Sequence, residues 1–264
     1  MSADNQQATI NKLLMGASET KRRIPQKQAL AILLGLLYTD GCVSPKGGSW
    51  RIYFSNKSIH LITLFRDCVV NAFKHEQPRV RIGLTSDKFH KAVVDSKAIG
   101  NYLVSNFGTF RTLKFENGRL PETALPIKFL HESGEIIPFL QAAFSSDGGV
   151  SFYPAERSGK NGKTRWLIRT VFLACAHPKL RADYLVLLKD LGIQAREVPA
   201  DGKIKIETEE NIRKFKKSVG FVSGAFITLH SKYWNGHEKN QVLKYMVASY
   251  ANPSKFYRLT RFER

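Results

Sequence analysis

The sequence has few cysteines and no long apolar run. Its 264 residues contain three cysteines, Cys42, Cys68 and Cys175, and no CxxC pair. This excludes a disulfide framework and a cysteine-rich zinc site, and it is typical of a reducing compartment. The longest apolar run, from Ala29 to Tyr38, is about half the roughly 20 residues that a membrane-spanning helix needs. Residues 1–15 lack the apolar segment of a secretory signal.

Acidic residues are scarce relative to basic ones. There are 22 Asp and Glu against 41 Lys and Arg, which gives a net charge of +19. A compact chain with this excess repels itself, and binding to a polyanion is the usual compensation. The basic residues are spread along the chain, so the composition favours nucleic acid as the partner, with an acidic membrane surface or simple solubility as alternatives. At 43% hydrophobic residues, the chain is too apolar to be disordered throughout.

The predicted elements occur in the same order twice. Hydrophobic periodicity and turn residues indicate helix, strand, strand, helix, strand, strand, helix over residues 26–108, and the same order over residues 136–220. Each copy is followed by a similar segment, GTFRTLK at 108–114 and GAFITLH at 224–230. This duplication predicts an α+β protein of two pseudo-symmetric halves. The predicted organisation is an N-terminal arm (1–26), a first half (27–108), a linker (109–134) and a second half with a C-terminal extension (135–264).

The first helix of each half ends in the same way. Residues 33–41 are LLGLLYTDG and residues 140–148 are LQAAFSSDG, so both helices finish in Asp-Gly. Small residues recur four positions apart, Gly35 and Thr39 in the first helix and Ala142 and Ser146 in the second. Residues at this spacing share one helix face, and small ones let two backbones approach closely. We therefore predict that the two helices pack on each other at a pseudo-two-fold axis.

An aspartate lies at the end of each of these helices, at Asp40 and Asp147. A helix C-terminus carries partial negative charge, so a carboxylate is unfavourable there by up to about 1 kcal/mol. Packing the helices together would also bring the two carboxylates close, where they either share a proton or bind a cation. Asp-Gly is also a common turn dipeptide, but its occurrence at matching places in both halves favours a functional pair.

The residue types in this pair indicate which metal it would bind. Carboxylates and backbone carbonyls are oxygen ligands that suit Mg²⁺. The seven histidines form no HExxH or HxxxH pair, so zinc is not expected. The glycines after the two aspartates are predicted to form a left-handed helix cap and a sharp turn into the next strand.

Polar residues, many of them basic, alternate with apolar ones in the predicted strands. In residues 50–55, Arg51, Tyr53 and Ser55 alternate with apolar side chains. One face of each sheet would then pack on the core while the other is basic, which suits a sheet in the major groove of DNA. Residues 165–175 have apolar groups on both faces, which predicts a bulge or a register change. The candidate DNA-binding residues are Arg51, Tyr53, Ser55, Arg79, Arg81, Lys88, His90, Arg157, Lys163, Arg165, Arg169, Arg196, Lys203 and Lys205.

With these motifs the chain resembles the LAGLIDADG homing endonucleases in their single-chain form, which contains two copies of the motif. The resemblance covers nearly all residues after the first 26. The first copy, LLGLLYTDG, is specific, whereas the second, LQAAFSSDG, is degenerate, with Ala142 in place of the motif glycine. Residues 231–240, SKYWNGHEKN, are also similar to the C-terminal region of archaeal members.

The resemblance implies an αββαββα core in each half, with the motif helices at the central interface and two antiparallel sheets forming a saddle over DNA. It implies that Asp40 and Asp147 bind divalent metal and cut both strands across the minor groove, leaving short 3′ overhangs. In the family, basic or amide residues at the edge of the site assist cleavage. By position these would be Lys114 in the first half, His230 or Lys232 in the second, and Asn56 at the end of the second strand.

The sequence therefore predicts a site-specific, Mg²⁺-dependent DNA endonuclease encoded by a mobile intron. Mn²⁺ is the alternative metal, and Ca²⁺ is expected to support binding without cleavage. Two unequal halves on one chain predict a monomer on an asymmetric target, and strands of about eight residues predict a site of about 20 base pairs. The alternatives are an intron RNA maturase or a non-catalytic DNA-binding protein on the same fold, and an intein endonuclease is disfavoured. A prokaryotic cytoplasm of archaeal type is expected, with an organelle as the alternative.

Overall fold

The computed structural model describes residues 24–257, apart from residues 88, 116, 160–161 and 228–230. Most of the predicted N-terminal arm and the far C-terminus therefore lie outside the described residues, as do Lys88 and His230. Among the described residues, no helix combines the length and the apolar character that crossing a membrane requires.

The first half follows the predicted order of elements. Serines define the starts of its second and third helices, because the side-chain oxygens of Ser58 and Ser96 each accept a backbone N–H from the first helical turn. A short 3₁₀ turn, Lys74–Glu76, follows the second helix. The element bounds are α1 Gln26–Leu37, β1 Gly41–Lys46, β2 Ser49–Asn56, α2 Ile59–Ala72, β3 Arg81–Leu84, β4 His90–Asp95 and α3 Lys97–Phe107.

The second half repeats this order and adds one helix that the sequence analysis did not predict, α7. Its second and third elements form a hairpin of 12 and 13 residues, longer than the hairpin of the first half. The element bounds are α4 Ser133–Ser146, β5 Gly148–Gly159, β6 Gly162–Ala174, α5 Pro178–Asp190, β7 Arg196–Val198, β8 Lys203–Ile206, α6 Glu209–Ser218 and α7 Lys239–Ala248.

The two halves contain sheets of the same topology. Their strand orders are β1-β2-β4-β3 and β5-β6-β8-β7, and every pairing is antiparallel. In the first sheet, Ile52 and Phe54 on β2 and Ala92 and Val94 on β4 are all buried and share one face. This face packs on the helices, so the opposite face of the sheet is open. The predicted α+β class and internal duplication are confirmed.

The motif helices α1 and α4 lie at the centre of the protein. All residues from Ala29 to Leu37 are buried, as expected for a helix that is apolar all round. The two backbones meet at Gly35, where a Cβ atom would lie 2.4 Å from the carbonyl oxygen of Phe139 and 3.0 Å from the Cβ of Ala142. The predicted packing of the two motif helices is therefore confirmed, and Gly35 and Ala142 lie where their backbones meet.

Each half is also tied to the other by a segment that we call a strap. The first strap, residues 117–126, follows the first half but packs on α5: the backbone N–H of Leu125 donates to Asp183 at 2.9 Å, and His177 contacts the carbonyl oxygen of Pro121 at 2.9 Å. The second strap, residues 220–227, packs in turn on the first half. There the Ser58 hydroxyl donates to a strap carbonyl at 3.3 Å. The straps therefore cross between the halves.

The close contact at Gly35 gives a test of the helix interface. We expect Gly35→Ala to destabilise the protein by about 1–3 kcal/mol, because the added methyl group must push α1 and α4 apart in a packed core. The matched control is Gly134→Ala in α4, where a Cβ meets no atom within 4 Å. That change should leave stability unchanged or raise it by up to about 1 kcal/mol. Urea unfolding measures both, and an unchanged midpoint for Gly35→Ala would contradict the contact.

Candidate active site

The packing of α1 against α4 brings Asp40 and Asp147 together. Asp147 is the C-cap residue of α4, and Asp40 follows the last turn of α1. The two carboxyl groups are close enough to interact through a hydrogen bond as well as through charge. The structure therefore places the two predicted metal-binding residues side by side at the end of the helix pair.

The glycines after the two aspartates allow each strand to start close to the preceding helix. The left-handed cap predicted for them is wrong. Gly41 and Gly148 are not among the glycines with positive φ. A Cβ at Gly41 would lie 2.5 Å from the Cα of Leu37, and a Cβ at Gly148 would lie 2.5 Å from the carbonyl oxygen of Phe144. The strand leaves so close to the last helical turn that no side chain fits between them.

Asp40 is held by two side-chain donors. The amide of Asn56 and the hydroxyl of Ser146 each donate to the same carboxylate oxygen of Asp40, both at 2.7 Å. Asn56 ends β2 in the same half, whereas Ser146 belongs to α4 in the other half. The carboxylate is therefore oriented from both sides of the interface, and the predicted site residue Asn56 lies in direct contact with it.

The surroundings of Asp147 disfavour the charged form of its carboxyl group. Burial raises the pKa of this carboxyl to about 8, and the charge and hydrogen bond of Asp40 act in the same direction. The ammonium group of Lys239 lowers it by a smaller amount. The surroundings therefore favour the protonated form of the Asp147 carboxyl.

A buried lysine, Lys239, lies beside the pair. Its Nζ donates to the backbone carbonyls of Ser145 and Gly148, both at 2.7 Å, and the residue is only 7% exposed. These carbonyls are at the C-terminal end of α4, where a cation is favourable. Burial lowers the pKa of Lys239 to about 8, although the nearby carboxylates raise it in part. Lys239 therefore places a basic group within the electrostatic reach of both aspartates.

Two clefts open on this centre. The larger has a volume of about 1030 Å³, and we call it the Asp147 cleft because Asp147 lines it and not the smaller one. The smaller, the Asp40 cleft, has a volume of about 440 Å³, and Asp40 lines both clefts. Residues 109–113 line the larger cleft and the similar segment 225–227 lines the smaller, so the two clefts are related by the pseudo-two-fold axis.

The basic residues predicted to assist cleavage do not lie at this centre. Lys114 is exposed and lines neither cleft, while Lys232 lines a separate surface cavity beside β5. His230 lies outside the described residues. Lys239 takes the position beside the carboxylates, and the sequence analysis did not single it out. A signal was present, since Lys239 is the first residue of α7, where the helix dipole disfavours a cation.

The open face of the first sheet contains predicted DNA-binding residues held around one acid. Strand pairing places Arg51, Tyr53, Ser55 and Arg81 on this face. Asp95 lies among them and forms salt bridges of 2.7–3.0 Å with Arg51, Arg81 and a nearby lysine. The hydrogen bonds from these cations, that of Arg51 above all, hold the pKa of Asp95 well below its usual range. The cluster keeps a net positive charge and fixed arginine orientations. Arg79 is exposed just before β3.

Three predicted DNA-binding residues lie on the other face of their sheet. His90 pairs with Asn56 on the core side of the first sheet, where burial lowers its pKa. Lys163 and Arg165 share the face of Glu156 and form salt bridges with it at 2.9 and 2.7 Å. The assignment to the open face was wrong for these residues, because their strand segments do not keep a simple basic-apolar alternation.

Arg169 is a fourth residue on the core-side face, and its contacts are structural. Its guanidinium donates to the hydroxyl and the carbonyl oxygen of Ser249, at 2.8 and 3.0 Å, and lies 4.4 Å from the ring centre of Tyr250. The predicted bulge in this strand is also wrong, since β5 and β6 pair residue for residue along their whole length.

The remaining predicted residues of the second half lie on its open face. Pairing across β5, β6, β8 and β7 places two exposed aromatic residues, Tyr153 and Trp166, on this face as well. Neither aromatic residue was predicted from the sequence, although the strand alternation could have identified both. The predicted basic residues on this face are Arg157, Arg196, Lys203 and Lys205.

The donor set at the centre fits a divalent cation. Within the described part of the chain, no group of three or more His, Cys, Asp or Glu residues is gathered that could hold a metal alone. Mg²⁺ is commonly bound by one or two carboxylates, with water and substrate phosphates as the other ligands. The Asp40–Asp147 pair matches this arrangement, and a cation there would offset the burial and the repulsion that together raise the pKa of Asp147.

Comparisons with known proteins identify the fold. No protein-family model and no curated protein sequence matches the chain. A structure of mesophilic variants of the homing endonuclease I-DmoI matches 84% of this chain and 100% of that one, with 15% identity and a TM-score of 0.53. I-DmoI in complex with DNA and Ca matches 74% of this chain and 91% of that one, with 16% identity and a TM-score of 0.51.

The duplicated topology, the helix pair and these matches define one architecture. The chain has the single-chain, two-motif LAGLIDADG fold, with two αββαββα halves joined at the motif helices. The resemblance and the fold class predicted from the sequence are confirmed. At 15–16% identity, this similarity establishes the fold and not the activity.

The raised pKa of Asp147 gives a test by pH. Between the unfolded pKa of about 4 and the folded pKa of about 8, the folded state binds a proton that the unfolded state has lost, so stability falls as pH rises through this window. Asp147→Asn removes the ionisable group, and with it this fall in stability as pH rises. The quantity to compare is the free energy of unfolding of the variant minus that of wild type, measured in EDTA. We expect this difference to increase by about 1 kcal/mol or more from about pH 5 to about pH 8.

Urea unfolding at several pH values measures this difference. The matched control is Asp190→Asn, which removes an exposed carboxylate at the end of α5. A pH-independent difference for Asp147→Asn would contradict the environment described for Asp147.

Proposed function

We propose that this protein is a site-specific DNA endonuclease that makes a metal-dependent double-strand break. The observation that carries the proposal is the half-buried carboxylate pair, Asp40 and Asp147, with buried Lys239 beside it, between two sheets with basic open faces. A protein that only binds nucleic acid gains nothing from two carboxylates that repel phosphate. The solved complexes of I-DmoI with DNA and Ca, and of an I-DmoI variant with its target DNA and magnesium, support the same partner and the same class of metal.

The chemistry proposed for each strand is hydrolysis of one phosphodiester. A water oxygen bonds to phosphorus, and one phosphorus–oxygen ester bond breaks. A divalent cation held by Asp40 and Asp147 would make water more acidic and stabilise the leaving oxygen. Asn56 and Ser146 keep the Asp40 carboxylate oriented through their hydrogen bonds, and Lys239 supplies positive charge where negative charge develops.

The two halves would contact unequal lengths of DNA. The strands β1 and β2 have 6 and 8 residues, whereas β5 and β6 have 12 and 13. At about 3.3 Å per residue, the longer hairpin extends roughly 40 Å. We therefore propose a monomer on a long asymmetric site of about 20 base pairs or slightly more, cut with 3′ overhangs across the minor groove.

The metal and the genetic setting complete the proposal. Mg²⁺ is the proposed cofactor, Mn²⁺ can replace it, and Ca²⁺ supports binding without cleavage. A mobile intron is the proposed coding element and a prokaryotic cytoplasm the proposed compartment. Cleavage of the intron-free allele of the host locus, with the intron-containing allele left intact, is the experiment that tests the coding element. An intron RNA maturase on this fold would instead bind the intron RNA and leave both alleles uncut.

The carboxylate pair gives a direct test of the activity. We expect Asp40→Asn and Asp147→Asn each to abolish double-strand cleavage, because each change removes a charged metal ligand, while target binding in Ca²⁺ persists. Plasmid cleavage in Mg²⁺ and gel-shift titration in Ca²⁺ measure the two properties. Asp190→Asn is the matched control and should cut like wild type. Cutting of both strands by either site variant at near the wild-type rate would refute the assignment.

The positions of the arginines give a test of the DNA-binding face. Each phosphate contact contributes about −0.9 to the slope of log K against log salt, so roughly eight contacts predict a slope near −7. Arg157→Ala, on the open face, should make the slope less steep by about 1. Arg169→Ala, on the core-side face, should leave it unchanged. Binding titrations over a salt series measure both, and the reverse ranking would show that DNA does not lie on the open face.

A further inference from the structure

The open face of the second sheet contains a group of apolar side chains between its basic residues. Tyr153 of β5 pairs with Ile168 of β6. Two residues further along β5, Ala155 pairs with Trp166, so all four side chains lie on the open face. Tyr153 is 38% exposed and Trp166 is 40% exposed. We call these four residues the aromatic patch. Exposed apolar groups that lie side by side on a protein surface are typical of a binding site.

Basic residues lie around the aromatic patch. Arg157, the next open-face residue of β5 toward the end of the hairpin, is exposed. Lys203 and Lys205 of β8 lie toward the inner end of the same face. Lys232, which follows the second strap, is exposed and lines a cavity of about 910 Å³ together with Tyr153. The charge around the patch therefore suits an occupant that has an apolar group between negative charges.

The ring of Tyr153 is held in place by a second tyrosine. It stacks on the ring of Tyr233, with the ring centres 5.8 Å apart and the planes 2° from parallel. The next residue, Trp234, is buried and stacks on Phe152, and its indole N–H donates to the backbone carbonyl of Phe152. These contacts anchor the loop to β5. A side chain that is already ordered loses little conformational entropy on binding, so Tyr153 is prepared for a contact.

The first sheet has a charged group at the matching place. Lys46 and Tyr153 each lie six residues after the motif aspartate of their half. Lys46 pairs with Ser49 and forms a salt bridge of 2.9 Å with Asp95. The aromatic patch is therefore a property of the second half and not of the fold that both halves share.

The chemistry of the major groove limits what such a patch can contact. The apolar group that base pairs present there is the 5-methyl group of thymine, while the other base edges offer hydrogen-bond donors and acceptors. An apolar side chain that covers one of those edges leaves a polar group without a partner, which lowers affinity. An apolar patch on a sheet in the major groove therefore favours thymine over guanine or cytosine.

We propose that the aromatic patch selects thymine, through contact with its 5-methyl group, in the part of the target bound by the second sheet. This inference rests on the proposed function and specifies part of its substrate. Tyr153 and Ala155 are six and eight residues after Asp147. At about 3.3 Å per residue and about 3.4 Å per base pair, the patch lies about six to eight base pairs from the centre of the target. Arg157 and Lys232 contact phosphates on either side.

The first experiment changes the DNA and leaves the protein unaltered. A binding target is selected in Ca²⁺ from a pool of duplexes of random sequence, and each of its thymines is then replaced in turn by uracil, which pairs in the same way but lacks the methyl group. We expect about a fourfold loss of affinity for each thymine that contacts the patch, since one buried methyl group is lost. These thymines should lie about six to eight base pairs from the midpoint, on one side.

The second experiment assigns the loss to the patch. Trp166→Ala should bind the thymine target more weakly and should no longer distinguish uracil at the thymine that Trp166 contacts. The matched control is Val186→Ala, since Val186 is 46% exposed on α5, outside both sheets. This variant should keep the ratio of affinities that wild type shows. Because each ratio compares two duplexes with the same protein, partial misfolding of a variant cannot imitate the change.

Three results would overturn the inference. Equal affinity for thymine and uracil at every position would show that no methyl group contacts the patch. An unchanged ratio in Trp166→Ala would place the sensitive thymines elsewhere on the protein. Tighter binding of a single strand than of the duplex would show that bases stack on the exposed rings instead.

The outcomes also separate this inference from the proposed function. If the selected duplex binds but is not cut in Mg²⁺, the endonuclease proposal fails and the uracil replacements still decide the inference. If the duplex is cut and uracil is tolerated throughout, the endonuclease proposal stands and the inference fails. If no duplex is selected from the pool, both fail.

Discussion

The close approach of α1 and α4 is the constraint on which the rest of the structure depends. Their backbones meet where Gly35 lies against the Phe139 carbonyl, too close for a Cβ. Because both helices are apolar on nearly all sides, each needs cover from the sheets and helices of both halves. The same contact sets where the two helix ends lie, and with them the two aspartates. A central contact between backbones thus determines both the core and the position of the carboxylate pair.

The charged groups at the centre, Asp40, Asp147 and Lys239, reduce the stability of the folded protein when nothing is bound there. Asp147 is half-buried beside another carboxyl group at the negative end of a helix, and its charged form is disfavoured there. Burial also disfavours the charged form of Lys239. Hydrogen bonds from Lys239 to two carbonyls at the end of α4 offset part of this cost. Groups that reduce stability in the free protein are expected at positions kept for function. The pair and its lysine are therefore better understood as a binding centre than as part of the core.

The sequence was sufficient to predict the duplicated architecture and the helix interface. The order of elements repeats, and Gly35 and Ala142 stand at the same position of two similar helices. These signals are local and periodic, so they can be recognised without knowledge of the tertiary contacts. Asp40 and Asp147 were identifiable for the same reason, because each is anomalous at a helix C-terminus.

Long-range packing decided what the sequence could not predict. Lys239 reaches the centre from a helix 91 residues after Gly148. Its unfavourable place at a helix N-terminus marks it as unusual but does not indicate which residues it contacts. The faces of Arg165 and Arg169 were misassigned because β6 has apolar residues on both of its faces, so alternation does not separate a core face from an open one. The left-handed cap was wrong at Gly41 because Asp-Gly permits two backbone solutions, and the nearby helical turn selects the other.

The crossing straps limit how such a protein can be divided. Each half is covered partly by a segment that follows the other half, as the contacts of Leu125 with Asp183 and of Ser58 with the second strap show. Recombination that joins one half to a foreign partner at the central linker would leave a strap from one parent against a helix from the other. The unit that can be exchanged between relatives is therefore one αββαββα half together with the strap that covers it, and not the repeat that the sequence displays.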